Sequence, residues 1–390
     1  MPGAGRSGTG IRASPVAPGG RTGRPVDRPG DGSPPDRGTR SPDAAFPAVG
    51  YGAGMSPGRR STPPAESRDG VELTNLDAPL ADGPETKRAL VDYLDAVADR
   101  IVPVLAGRPL SVVRVRPGQP PFMQKNLPRY TPDWVRATAV WAYASHREIR
   151  YALCDDRRTL LWFANQRAVE YHVTLLPAAS AHPSFLVLDL DPPPGAGFDV
   201  VVGTAHLVRA ALDEAGLAGA VKTSGSKGVH IFVPLVDGVE PEAAAAATRA
   251  LAVRAARLDP ELATTEYIVQ DREGKVFIDA TRAGGATVVA AYSPRLRPGV
   301  PVSFPLAWAD LDRAHPADFT IATAPGRLGT GDPWRELMPP PQRLPDPRVE
   351  QGRAIPVARV AAMHEGKRRA RARRAAADGA DHAPTDPTAF

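Results

Sequence analysis

The chain has 390 residues, 44 of them proline and 36 glycine, with a single cysteine and a net charge of +5. That one cysteine, Cys154, excludes an internal disulfide and any cysteine-based metal site. No run approaches the ~18 apolar residues of a membrane span, so a soluble cytoplasmic protein is expected. The charge is unevenly placed. Ten arginines face six acids in residues 1–70, and ten Lys and Arg face six acids in residues 338–390, which leaves residues 71–337 at about −3. Such a core is no general polyanion-binding surface. Affinity for nucleic acid would have to come from local patches and from the tails.

In chain order, residues 1–70 are rich in Gly, Pro, Ser, Arg and Asp and nearly free of large apolar side chains. They cannot bury enough surface to offset their ordering entropy, and disorder is expected. They also lack the apolar stretch of a signal peptide. Residues 86–102 read as an amphipathic helix on Leu90, Val91, Tyr93, Leu94, Val97, Ile101 and Val102. Residues 110–116 alternate Val and Arg as a strand. Phe122 and Lys125 fall in a Pro-bounded loop. A second helix is read over 158–172, with Leu161, Phe163, Ala164, Ala168 and Val169 inward and His172 at its end. Residues 185–191 form a buried strand and 199–215 a helix stopped by Gly216. A strand over 229–235 and an Ala-rich helix over 241–258 follow. Strands over 275–280 and 287–292 are expected to pair around Gly284-Gly285. The mixture predicts an α+β fold in residues 71–337. From 338 to 390 a Pro-rich tail turns basic in Lys367-Arg368-Arg369-Ala370-Arg371-Ala372-Arg373-Arg374. That run is either a solvated surface or a contact to DNA phosphates.

Candidate chemistry gathers in the middle of the chain. The run Phe185-Leu186-Val187-Leu188 ends in Asp189-Leu190-Asp191. Side chains alternate along a strand, so the two carboxylates share one face. Asp is common in turns at strand ends, but carboxylates this close repel unless a cation lies between them. A third, Asp279, follows the apolar Ile278 in another strand. Three such oxygens suit hard divalent ions, Mn²⁺ or Mg²⁺, and two-metal nucleotidyl transfer.

Between the carboxylates lies Lys222-Thr223-Ser224-Gly225-Ser226-Lys227-Gly228-Val229-His230. An ordinary turn needs glycine but has no need of Ser224, Lys227 and His230 together. Glycines that let backbone N–H groups approach, plus a lysine, suit a triphosphate. The spacing is not that of a Walker A loop. Lys222 either joins the phosphate set or supports the turn. Arg295 either binds phosphate or pairs with an acid. An exposed Phe122 beside Lys125 could stack a base and hold a backbone phosphate, the alternative being a core Phe. If the basic tail does not bind DNA, Lys125 and Arg114 are the first core cations to consider.

Asp-x-Asp, then Ser-Gly-x-x-Gly-x-His, then an apolar-Asp pair is similar to the pattern of the archaeo-eukaryotic primase superfamily. Within it the chain resembles the polymerase domain of bacterial DNA ligase D, an end-joining repair enzyme. The resemblance runs from about residue 73 to 334. Its blocks include Leu73-Thr74-Asn75-Leu76-Asp77, Phe122-Met123-Gln124-Lys125-Asn126, Glu170-Tyr171-His172, Tyr292-Ser293-Pro294-Arg295 and Gly331-Asp332-Pro333-Trp334. It implies a primase-type core with a cleft between sheets and a template-directed nucleotidyltransferase filling gaps and extending DNA ends, with preference for ribonucleotides. It also implies two Mn²⁺ or Mg²⁺ ions as cofactors, and phosphate contacts from Ser224, His230, Arg295 and a His172 near the nucleotide. The partners implied are DNA ends, NTP or dNTP, and Ku. No Lys-x-Asp-Gly ligase nucleophile occurs, so a separate ligase is expected to seal. A nucleoid-associated location follows from the substrate. Three departures stand out: Met123 replaces a second aromatic, Ala280 an aromatic, and Ala283 an Asn. A primase acting de novo and a non-catalytic end-bridging module are the rival functions.

Overall fold

The computed structural model describes residues 66–80, 83–142, 146–282, 286–357 and 363. The chain opens with a hairpin, β1 (Glu66–Arg68) and β2 (Val71–Leu73). Helices α1 (Lys87–Ala96) and α2 (Ala98–Leu105) follow, then β3 (Leu110–Arg116), β4 (Gln119–Gln124), β5 (Ala137–Ala142) and β6 (Arg147–Ala152). Next come α3 (Arg157–Asn165), β7 (Ala168–Thr174), β8 (Phe185–Asp191), α4 (Phe198–Asp213), β9 (Ala220–Thr223) and β10 (Val229–Pro234). The remainder is α5 (Pro241–Leu258), β11 (Ala263–Thr264), β12 (Val276–Asp279), β13 (Thr287–Val289), β14 (Pro305–Leu306), α6 (Ala324–Leu328), α7 (Pro333–Leu337) and α8 (Asp346–Arg353). No described helix is long and apolar enough to cross a membrane.

Two sheets organise the α+β fold. One runs β13-β7-β3-β6-β5, with β4 added on β3; the other runs β11-β12-β8-β10-β9-β14. In the second sheet β8 lies between β12 and β10, antiparallel to both. Leu186, Val187, Leu188, Ile231 and Val233 are fully buried there. That central position explains the unbroken apolar run of β8. Helices α4 and α5 pack on this sheet, with Val201, Ala205, Leu251 and Ala255 in the same core.

Local chemistry sets the helix ends. Thr86 caps α1 by accepting from Ala89 N at 3.2 Å, and Asp156 caps α3 by accepting from Thr159 N at 2.7 Å. The helix read over 86–102 is broken at Val97 (φ −104°, ψ 10°) into α1 and α2.

The structure corrects three further expectations. The helix read over 158–172 ends at Asn165, because Arg167 takes a left-handed φ of 59°. Residues 168–174 are then a strand, so His172 stands on β7 and caps no helix. The strands read over 275–280 and 287–292 do not pair with each other. β12 lies against β8, and β13 against β7 in the other sheet. The chain therefore crosses between sheets directly after Asp279. Phe122 lies on β4 rather than in a loop.

Elements also lie outside residues 71–337 at both ends. Glu66–Arg68 belongs to the hairpin, where Arg68 reaches Asp92 on α1 at 2.6 Å. Residues 1–65, the basic run 367–374, Ala283 and Gly284-Gly285 lie outside the described residues. At the other end the fold continues past 337. Gln342 N donates to Pro234 O at 2.9 Å, and its side chain bridges the backbone of Ala218. Val349 on α8 packs on Ala246 and Ala247, and a Cβ on Gly352 would overlap the Ala246 carbonyl. The alanines of α5 are what allow this close approach. Ending the chain after Leu337 should therefore cost at least about 2 kcal/mol, the scale of one buried valine plus its strand bridge. Ending it after Val357 should not. Thermal unfolding of the two truncations tests this, and equal midpoints would refute it.

Candidate active site

Asp189 occupies the middle of a three-strand row. The ladder sets Asp279 opposite it on β12 and His230 opposite it on β10. Asp191, two residues on, shares its face and is half-buried. Asp189, Asp191 and Asp279 each offer an oxygen within 4.8 Å of the others. Burial, and then the Asp189 charge, pushes the Asp191 carboxyl up to about 6. Burial would raise Asp189 too, but His230 and Arg282 outweigh it and hold Asp189 well below the usual range. Three carboxylates this close, built only from hard oxygen donors and with Asp191 pushed toward its protonated form, fit a divalent cation.

Arg282 was not among the residues singled out from the sequence. Its Nη2 lies 2.8 Å and its Nε 3.0 Å from Asp189 Oδ2, and Nε lies 3.4 Å from Asp279 Oδ2. The only sequence signal was an arginine three residues beyond the third aspartate.

The turn between β9 and β10 carries Ser224 and Lys227, and His230 follows it on β10. Ser224 Oγ accepts from the N–H groups of Ser226 (3.2 Å) and Gly228 (3.0 Å), which leaves its own proton to donate. The glycines have packing reasons. Gly225 has φ +69°, and a Cβ there would lie 2.6 Å from Arg295 Cγ and 2.7 Å from Ser303 N. A Cβ on Gly228 would overlap the Leu190 carbonyl. Lys227 is exposed.

Lys222 is fully buried. It donates to Ser303 Oγ at 2.6 Å and meets His230 Nδ1 at 2.8 Å. With Nδ1 accepting, the imidazole proton lies on Nε2, which faces Asp189 Oδ1 at 3.1 Å. Burial and then the Lys222 charge push His230 down to about 4. Lys222 thus orients His230, which in turn holds Asp189; it does not reach the open site.

Glu170 ties the two sheets together at the site. On β7 it shares a face with His172, whose Nε2 is 2.9 Å from Glu170 Oε2. The same oxygen lies 3.2 Å from Arg295 Nε, while Oε1 accepts from Leu296 N at 2.9 Å. Arg295 Nη1 then donates to Ser224 O at 2.6 Å. His172, Glu170, Arg295 and Ser224 form one connected chain. Glu170 was quoted in its motif but given no role; Glu-x-His in a strand would have placed both on one face.

The DNA-side candidates are elsewhere, on the first sheet. Phe122 is half-buried beneath the Arg116 guanidinium, 4.7 Å from its ring centre. Lys125 and Met123 are exposed. Arg114 is 5 % exposed and donates to Gln166 O, Gln124 Oε1, Tyr130 Oη and Gln166 Oε1. It braces β3, β4 and the α3–β7 turn, so it is not the open cation expected of it. Its engaged donors are the physical reason. Arg116, at the end of β3, is the exposed cation beside Phe122, whose ring the buried Arg114 also faces at 5.8 Å.

The mixed α+β fold thus sets three clustered carboxylates beside a Ser-Gly turn on antiparallel strands. Residues 86–334 match the model of the LigD primase-polymerase domain, and the chain belongs to that family. It is 33% identical over 282 residues to the bifunctional non-homologous end joining protein LigD of Bacillus subtilis, covering 70% of this chain and 45% of that protein. It is 34% identical over 265 residues to the multifunctional non-homologous end joining DNA repair protein LigD of Mycobacterium tuberculosis, covering 63% of this chain and 34% of that one. The chain thus spans less than half the length of these relatives. Its fold is similar to the polymerase domain of Mycobacterium tuberculosis ligase D in complex with DNA, with a TM-score of 0.63 and 31% identity, over 68% of this chain and 97% of the other.

Proposed function

We propose that this chain extends DNA ends and fills gaps by template-directed nucleotidyl transfer in non-homologous end joining. The observation that carries this is the placement of Asp189, Asp191 and Asp279 within 4.8 Å of one another, on strands adjoining the turn over residues 224–228. Membership of the LigD primase-polymerase family supports it. In this reading a primer 3′-hydroxyl attacks the α-phosphorus of a nucleoside triphosphate, and pyrophosphate leaves. The three aspartates hold divalent ions, Mn²⁺ or Mg²⁺, which when bound supply Lewis acidity toward the primer hydroxyl and the leaving phosphates. Ser224 donates its free proton to the triphosphate, and Lys227 adds a mobile positive charge. His230, oriented by Lys222, keeps Asp189 in place. Arg295 and His172, both held by Glu170, line the site next to Ser224, with the Arg295 guanidinium as its cation. Phe122 and Lys125, with Arg116, suit a template strand.

Ribonucleotide preference and untemplated additions are parts of the same reading that the family suggests. So are Ku and a separate ATP-dependent ligase as partners, and a cytoplasmic, nucleoid-associated location. Primer extension on a gapped duplex, with each NTP or dNTP and with Mn²⁺ or Mg²⁺, tests the reading. Metal-dependent templated extension is expected, faster with NTPs. Extension without any primer would point to a primase acting de novo. DNA binding with no extension under any condition would leave an end-bridging module.

A narrower result concerns Ser224→Ala and Lys227→Ala. Each removes a phosphate donor, so each should raise the apparent Kd for triphosphate about three- to tenfold, the scale of one lost charged hydrogen bond. DNA affinity should barely change. If DNA affinity falls instead while nucleotide affinity holds, this turn belongs to the DNA side.

A further inference from the structure

The oxygens of the carboxylate cluster are unequally occupied. Asp189 Oδ1 faces His230 Nε2, and Asp189 Oδ2 holds the Arg282 guanidinium through two nitrogens. Asp279 Oδ1 accepts from Thr281 N at 2.7 Å, and Asp279 Oδ2 lies against Arg282 Nε. Of the three aspartates, only Asp191 has no such partner among the described residues. The Thr281 contact turns the chain back on itself just past β12, and that turn brings residue 282 against the carboxylates. Arg282 is itself only 31% exposed in its side chain, so it lies within the cluster rather than over it.

We propose that Arg282 is a built-in counter-ion that divalent metal must displace, and that the displaced guanidinium then binds the triphosphate. The inference rests on these carboxylates being the metal ligands. A guanidinium and a divalent ion compete for Asp189 Oδ2 and Asp279 Oδ2, because each needs those lone pairs. Two like charges at one site also repel, so ion entry and guanidinium departure are linked. Once released, Arg282 stays tethered three residues from Asp279, and its planar fork matches phosphate oxygens. The triphosphate proposed on the Ser224 turn is the nearest new anion. Metal and nucleotide should therefore strengthen each other's binding, and by the same factor.

The test uses the full chain with Mn²⁺ alone, free ion being read by electron paramagnetic resonance. Arg282→Gln should bind Mn²⁺ about tenfold more tightly than the parent, since the competing charge is gone. It should bind a non-hydrolysable triphosphate analogue, at saturating Mn²⁺, about tenfold more weakly, since a phosphate cation is gone. Arg282→Lys keeps the charge without the fork and should fall between the two in both measurements. It also serves if the Gln variant does not fold. Asp279→Asn separates the underlying reading from the inference. If it abolishes Mn²⁺ binding while the Arg282 variants bind Mn²⁺ like the parent, the metal site stands and the counter-ion role is overturned. If Asp279→Asn binds Mn²⁺ as tightly as the parent, the metal lies elsewhere and both ideas fall.

Discussion

Asp279→Asn should abolish primer extension while leaving the fold intact. Asn keeps the volume of Asp and keeps an oxygen for Thr281 N, which Asp279 Oδ1 accepts at 2.7 Å. What it removes is charge. Asp279 adds to the repulsion that, after burial and Asp189, holds the Asp191 carboxyl up at about 6. Deleting one negative charge from this cluster therefore relieves repulsion, and the unfolding midpoint should hold or rise. Activity should move the other way. Losing several kcal/mol of stabilisation at the reacting phosphate is about a thousandfold in rate. The same substitution at Asp189 is a poorer test, because Asp189 also holds His230 and takes two Arg282 nitrogens at 2.8 and 3.0 Å, where Asp279 meets one at 3.4 Å. Single-turnover extension by the Asp279 variant is the measurement. A rate within a few-fold of the parent would remove Asp279 from the metal set.

How far the sequence reached depended on how local each cause was. Strand β8 was legible because its centre in the sheet requires an apolar run, and two aspartates end that run visibly. Helix α5 was legible because Pro241 starts it and small residues fill it. Strand β7 was misread because Ala168 and Val169 continue the helical spacing of Leu161 and Ala164. What stops the helix is the backbone of Arg167 at φ 59°, which no side-chain pattern announces. The pairing of β13 with β7 rather than β12 is likewise non-local: β12 and β13 were both read as strands, but the true partner of β13 had been read as helix. The site followed the same rule. The aspartates, Ser224 and His230 could be picked by type and spacing. Arg282 and Glu170 could not, because their meaning lies in what the crossover between sheets brings beside them. Arg114 looked like a surface cation in a Val-Arg alternation, yet it is inside because Gln166, Gln124 and Tyr130 arrive from three other segments to satisfy it.

Glu170→Gln should lower stability by about 3 kcal/mol near neutral pH, and should do so in a pH-dependent way. Burial alone would raise the Glu170 carboxyl, but His172, Arg295 and the Leu296 amide outweigh it and bring it from 4.5 to about 2. That drop corresponds to about 3 to 4 kcal/mol at ~1.4 kcal/mol per unit, and partial exposure holds the expected figure to the lower end. The sign follows from the depressed value. The unfolded chain holds the proton more tightly, so the stabilisation is complete above pH ~4.5 and is lost as pH falls toward about 2. The variant has no carboxyl to titrate, so its deficit against the parent should shrink steadily through that window. Comparing the two proteins cancels the other carboxylates, Asp189 among them, that also titrate in acid. The variant should also bind triphosphate less well. Gln cannot neutralise Arg295, and Arg295 is the link to the Ser224 carbonyl at 2.6 Å. Denaturant unfolding at pH 7, 4 and 3 reads the first effect, and nucleotide titration at pH 7 the second. A stability deficit that stays constant from pH 7 to pH 3 would mean that Glu170 acts through packing, and the electrostatic tie between the two sheets would have to be abandoned.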